Sequence, residues 1–232
     1  EKVFKFGVKY KKISTPSKAK IKTIIFDTSD YHSEMCELSM KLNSDKSPYN
    51  ASGHRHAYTG IYHYLFNKIK NMNLNIGEIG IKNNIGIKLF REYFKNARIY
   101  GFEFDKKYLD NAKIDNLHNV YYDFIDVRNS KSIITAFKKT NVQFDIIFDD
   151  STHFFQDQIN VMNNAHLFMK KNATLIIEDI YEKKKGYSQL DYYQVLKNNL
   201  HHYSDCYFIE SRHVNEWSSL WHNSKILVLE KN

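Results

Sequence analysis

Apolar positions along this chain fall into short runs separated by longer stretches in which they recur at helical spacing. The clearest run is FDIIFDDSTH, where Phe144, Ile146, Ile147 and Phe148 lead into the adjacent acids Asp149 and Asp150. β-branched and aromatic residues in a short run suit a strand covered on both faces. Runs of the same kind predict strands at 74–79, 98–104, 120–124, 174–178, 206–210 and 225–230. Helical spacing fills most of the gaps. Phe155, Ile159, Met162, His166 and Met169 step by four, three, four and three, which makes one apolar stripe. Upstream, 31–42 and 58–70 read as helices, and KVFKFGVKY and IKTIIFD read as strands flanking a polar STPSKAK turn.

Strands alternating with helices predict an α/β fold: a Rossmann-like, doubly wound, mostly parallel seven-stranded sheet. Its last two strands, separated by the loop 211–224, are expected as an antiparallel pair at one edge. Residues 1–57 form an N-terminal extension of strands plus helix, a candidate oligomer or substrate-cap element, ahead of a main domain at 58–232. A hydrophobic content of 42% and a charged content of 26% are ordinary for a globular chain. No apolar run approaches the ~18–20 residues of a membrane span, and the opening residues show no signal-peptide pattern. Cys36 and Cys206 alone give no disulfide framework and no thiolate metal site, which fits a reducing cytoplasm. The net charge of +8 raises the question of a nucleic-acid partner. No Arg-rich strip accompanies it and acids gather at the presumed active edge, so no nucleic acid is expected.

In an open α/β sheet, ligands bind outside the carboxyl ends of the strands. The first regular strand ends in IGEIGIKNNIG, where Gly80 permits close backbone approach and Gly86 opens a helix carrying Ile87, Phe90 and Phe94. Neither the dinucleotide fingerprint nor a P-loop ending is present. Glu103 ends the next strand roughly twenty residues on, where an acid can grip ribose hydroxyls. Together these features suggest a nucleoside cofactor without a diphosphate, with Asp123 and Asp126 placed to meet an adenine amino group. If the strands at 144–148 and 174–178 are neighbours, Asp149, Asp150, Glu178 and Asp179 converge at one edge. Such a cluster repels itself unless a hard cation such as Mg²⁺ neutralises it. His153, three residues past Asp150, is the nearest base.

Taken together, E-I-G with its downstream glycine, I-Y-G-F-E, F-D-I-I-F-D-D-S-T-H and L-I-I-E-D resemble a class I S-adenosylmethionine-dependent methyltransferase. More narrowly, the chain is similar to the metal-dependent sugar O-methyltransferases related to the macrolide-sugar (mycinamicin, macrocin) enzymes. Their D-D-G-S-H stands where this chain has residues 149–153, and SDKSPYN with HRHAYTGIYHYLF resembles their T-D-K and H-x-Y. The resemblance runs from about residue 42 to the end. It implies S-adenosylmethionine contacted by His56, Tyr62, Glu78, Gly80, Gly86, Glu103, Asp123, Asp126 and Asp149. A divalent ion, Mg²⁺ or Mn²⁺, would sit on Asp150, Glu178 and Asp179, an assignment that catechol-type enzymes share in their own acidic strand ends.

The implied reaction is methylation of a sugar or nucleotide-sugar hydroxyl, for a polysaccharide precursor or a glycosylated metabolite. Tyr181 stands where relatives can carry a histidine, so His153, Asp150 and Tyr181 are the candidate catalytic groups. Lys183 to Lys185 form a basic lid that would favour a phosphate-bearing sugar. KKNA replaces the family's Pro-Gly-Gly turn before the fifth strand. The competing readings are a cephalosporin-hydroxylase-like oxygenase and an RNA-binding or RNA-modifying protein.

Overall fold

The apolar runs form strands and the amphipathic stretches form helices in the computed structural model, which describes residues 2–3, 9–13, 21–219 and 222–232. The strands are β1 (Lys2–Val3), β2 (Lys9–Ile13), β3 (Lys22–Asp27), β4 (Asn75–Ile79), β5 (Arg98–Glu103), β6 (Val120–Phe124), β7 (Phe144–Asp149), β8 (Met169–Ile177), β9 (Tyr203–Arg212) and β10 (Lys225–Lys231). The helices are α1 (Glu34–Leu42), α2 (Tyr58–Phe66), α3 (Ile85–Tyr93), α4 (Lys106–Ile114), α5 (Ser130–Thr140), α6 (Phe155–Ala165) and α7 (Gln189–Leu196). All ten strands join one sheet in the order β1-β2-β3-β9-β10-β8-β7-β4-β5-β6. β4 to β8 run parallel, and β10 is antiparallel to both β8 and β9.

Two apolar layers sandwich the sheet, and β7 feeds both. Ile146 and Phe148 enter the layer under α2 and α3, while Phe144 and Ile147 enter the opposite one. Strict alternation fails because pairing with β8 is irregular between Phe144 and Ile146. Asp145 sits at that irregularity, accepting from the Asn75 amide at 2.7 Å and from Lys170 at 2.8 Å. Phe148 stacks on Phe90 at 4.3 Å between centroids and also meets Tyr62 and Phe66. Each fully buried ring of this kind contributes about 1.5–3 kcal/mol over an exposed one.

The structure corrects several expectations. The seven expected strands all form the Rossmann-like sheet, and the N-terminal extension adds three more, because β3 pairs parallel with β9 and carries β2 and β1 outward. β9 and β10 are antiparallel as expected, yet β3 covers β9, so the pair is interior. The STPSKAK turn and residues 4–8 of KVFKFGVKY lie outside the described residues. α1 starts at Glu34 rather than 31, because the Ser33 hydroxyl caps it by accepting from the Cys36 amide. α2 ends at Phe66 rather than 70 and gives way to turns.

The apolar stripe 155–169 is not one helix either. α6 stops at Ala165, and Met169 opens β8. The KKNA segment is therefore part of β8, with Asn172 at φ 62° supplying the left-handed backbone that a glycine turn would otherwise supply. Asn adopts that conformation more readily than most residues.

Candidate functional site

Backbone pairing continues past the strand ends and draws the acids together. The Asp150 amide donates to Ile79 O and the Glu178 amide to Asp149 O, each at 2.9 Å. The chain then turns sharply at two left-handed non-glycine residues, His153 at φ 57° and Asp179 at φ 56°. Such conformations are uncommon and gather at functional sites. The turns bring Asp150, His153 and Asp179 together, with one donor atom from each within 4.8 Å of the others. His153 Nε2 lies 3.9 Å from Asp150 Oδ1 and 3.7 Å from Asp179 Oδ2.

This group stands on the wall of a cavity of about 780 Å³ over the ends of β4, β5 and β7. Two glycines make the cavity possible. At Gly80 (φ 86°) a Cβ would fall 2.3 Å from Asp150 O, and at Gly86 it would fall 2.2 Å from Glu78 Oε1. Neither position tolerates a side chain without displacing its neighbour. Glu103 lines the cavity with both carboxylate oxygens engaged by the loop: Oε2 accepts from the Ile81 and Lys82 amides, and Oε1 from the Phe104 and Asp105 amides. It therefore fixes the glycine turn as well as facing the cavity.

The positive group among the acids is Lys46. Its side chain is 3% exposed, and its ammonium donates to Asp150 and to Glu178 Oε2 (2.7 Å), with Glu78 Oε1 at 3.7 Å. Burial disfavours its charge, but Asp150, Glu178 and Glu78 outweigh that and hold the ammonium well above its ordinary pKa. One cation does not balance three carboxylates. Burial pushes Glu78 up to about 8, with Lys46 partly opposing the rise. Burial likewise raises Asp150 and, further, Glu178. Asp179 goes the other way. Burial would raise it, but His56, His153, the Tyr58 hydroxyl and Lys46 together bring it down. The Tyr58 hydroxyl donates to its Oδ1 and the Asn223 amide to its Oδ2, both at 2.8 Å.

The sequence-derived candidates divide accordingly. His56, Glu78, Gly80, Gly86, Glu103, Asp150, His153 and Asp179 all line the cavity. Asp126 lines a smaller adjoining recess beside Glu103, paired there with Arg128. Asp123 is paired with Lys139 and lines neither space. Asp149 turns inward, where its Oδ1 accepts from the Ser151 hydroxyl at 2.6 Å. Tyr62 is fully buried against Phe148, on the Glu178 side of the acids. Tyr181 packs on Tyr187, with the Lys184 ammonium lying over both rings. The structure does not bring Glu178 into the three-donor group; it places that carboxylate on Lys46.

Lys46, Tyr58 and Asn223 received no role from the sequence. Lys46 did stand inside the SDK motif, but nothing in one sequence pairs it with an acid 104 positions away. The donor set fits a divalent cation. Two carboxylates and an imidazole converge, and both Glu178 Oε1 and His153 Nδ1 are buried without a hydrogen-bond partner among the described residues. Asp150 and Asp179 would hold such an ion, with His153 Nε2 beside it and Glu178 behind Lys46.

A sheet ordered β9-β10-β8-β7-β4-β5-β6, with β10 reversed and a cavity at the glycine turn after β4, defines a Rossmann-like methyltransferase fold. A family profile described as a methyltransferase domain matches residues 82–225, and the chain belongs to that family. A curated relative is 22% identical over 134 residues: the 8-demethyl-8-(2-methoxy-alpha-L-rhamnosyl)-tetracenomycin-C 3'-O-methyltransferase of Streptomyces olivaceus, matched over 54% of this chain and 33% of its own. Among solved structures, the MycE methyltransferase of the mycinamycin pathway, in complex with Mg, SAH and mycinamycin VI, superposes with a TM-score of 0.64 at 16% identity. That match covers 86% of this chain and 55% of MycE. An O-methyltransferase from Bacillus cereus in complex with SAH matches with a TM-score of 0.54 at 15% identity, over 86% of this chain and 92% of its own. The chain thus spans about a third of the curated relative and about half of MycE.

Proposed function

We propose that this protein transfers a methyl group from S-adenosylmethionine to a hydroxyl of a glycosylated small molecule, with a divalent cation, Mg²⁺ or Mn²⁺, at Asp150 and Asp179. The observation that carries the reading is the meeting of Asp150, His153 and Asp179 on the wall of a cavity built on Gly80, Gly86 and Glu103. The sugar acceptor named for the Streptomyces relative and the Mg and SAH of the MycE complex support it.

The cavity end with Gly80 and Glu103 would receive the nucleoside, leaving the sulfonium methyl toward Asp150. A divalent ion at the acidic group would make a bound hydroxyl more acidic. His153 Nε2, facing both carboxylates, takes the hydroxyl proton. The oxygen forms its bond to the methyl carbon as the carbon–sulfur bond breaks, and that electron pair stays on sulfur. Most of the acceleration rests on holding oxygen and methyl in line. Asp179, fixed by Tyr58 and Asn223, and Asp150, fixed by Lys46, supply a rigid platform for that alignment.

The test is to incubate the protein with S-adenosylmethionine and a panel of rhamnosyl and related glycosides, with MgCl₂ or EDTA, and to follow product mass. A methylated glycoside formed with Mg²⁺, and lost with EDTA and in Asp179→Asn, is expected. Transfer unaffected by EDTA would remove the metal from the account. The one-histidine, two-carboxylate donor set also suits ferrous iron. Oxygen consumption with Fe²⁺, and no methyl transfer, would move the assignment to an oxygenase.

A further inference from the structure

A second cavity, of about 610 Å³, opens on the same sheet edge over the ends of β9 and β10. Glu182, Glu210, Glu216, Trp217 and Ser218 are among its lining residues. A thin wall divides it from the first. Arg55 and Trp217 exchange both backbone hydrogen bonds, at 2.8 and 3.0 Å. Ser218 Oγ lies 3.0 Å from His54 Nδ1 and donates to Asn223 Oδ1 at 2.9 Å, and the same Asn223 holds Asp179. The second cavity is therefore two side chains from the acidic group.

One cation close to this cavity lacks a hydrogen-bond partner among the described residues. Lys225 is 5% exposed, yet among the described residues its ammonium makes no hydrogen bond or ion pair and lies 4.4 Å over the Phe208 ring. The opposite charges acting on it are those of Glu210 and Glu182, both on the cavity wall. A ligand oxygen reaching this ammonium would supply the acceptor that the described residues do not.

We propose that this cavity is the distal acceptor subsite, taking an uncharged sugar unit beside the one that is methylated; this rests on the methyltransferase reading above. The lining combines donors and acceptors: Arg212, His213 and His222, three carboxylates, and the hydroxyls of Ser218 and its neighbours. Sugar hydroxyls both donate and accept, so they match such a mixture. Trp217, 46% exposed, offers a ring face against which the apolar face of a sugar can lie.

The test uses an array of uncharged mono- and disaccharide glycosides together with nucleotide sugars, probed with labelled protein in saturating S-adenosylhomocysteine and MgCl₂. Disaccharide glycosides are expected to bind at least tenfold better than their monosaccharides. Trp217→Ala, Lys225→Met and Glu210→Gln are each expected to remove that advantage while leaving the S-adenosylhomocysteine Kd within threefold. Preference for nucleotide sugars, equal binding by all three variants, or retention of no glycan while S-adenosylhomocysteine still binds would each overturn the proposal. Failure to bind S-adenosylhomocysteine is a different result, because it overturns the methyltransferase reading itself.

Discussion

Replacing Lys46 with methionine keeps an unbranched side chain, one heavy atom shorter, and removes its charge. Lys46 is the cation bonded to Asp150 and Glu178 and nearest to Glu78. Breaking a buried ion pair by deleting one partner typically costs about 3–5 kcal/mol, since the other charge stays buried and unpaired. Protonation of the orphaned acids relieves part of that cost, so the loss must depend on pH. Glu78 and Glu178 are already pushed up by burial, and Lys46 is the main influence holding them down. In Lys46→Met both rise further. Their unfolded forms release protons first as pH rises, so the variant loses stability with increasing pH.

Urea denaturation in EDTA should therefore show a small deficit near pH 5.5 and about 3–5 kcal/mol at pH 8.5, a Tm drop of roughly 6–20 °C for a chain of this size. Millimolar Mg²⁺ should recover more stability in the variant than in the parent, because a divalent ion replaces the missing charge. A deficit independent of pH, or a variant as stable as the parent at pH 8.5 in EDTA, would refute the charge balance described for this site.

Further outcomes follow from single contacts. Gly86→Ala gains about 1 kcal/mol of helix propensity but drives a methyl into Glu78 at a cost of about 1–3 kcal/mol, so a net loss of up to about 2 kcal/mol by urea titration is expected, with weaker S-adenosylhomocysteine binding. Glu78→Gln should flatten the pH dependence of stability. The folded pKa of about 8 lies above the ordinary 4.5, so this group's contribution is fully present below about pH 4.5 and falls as pH rises to about 8, by at most about 5 kcal/mol. A slope over that window unchanged by the substitution would contradict the placement of Glu78. Phe148→Ala, which empties the space against Phe90, Tyr62 and Phe66, should cost about 3–5 kcal/mol in urea.

Strand positions were legible wherever apolar runs are short and bounded by polar residues. β6 falls on the expected residues, and β7 extends its expected run by one; burial of β7 on both faces leaves a nearly unbroken apolar signature, while β6, a partly exposed edge strand, was marked by its β-forming Val and Tyr residues. The glycine turn, Glu103 and the D-D-x-x-H end of β7 were legible for a related reason, since each is local in the chain. Pairings across long separations were not. Lys46 with Asp150, β3 with β9, and Ser218 through Asn223 to Asp179 depend on which strands lie side by side, and periodicity does not carry that information. The stripe from Phe155 to Met169 misled because a helix end and the start of a strand happened to keep the same spacing. Tyr62 was placed with the cofactor by its motif, whereas its helix position turns it into the core.

The most direct test of the account is a calorimetric titration of the protein with S-adenosylhomocysteine, repeated with Glu103→Ala. The account predicts one site per chain with micromolar affinity, weakened at least tenfold when Glu103 no longer holds the glycine turn and faces the cavity. An absence of binding at millimolar S-adenosylhomocysteine, or binding indifferent to Glu103, would contradict it.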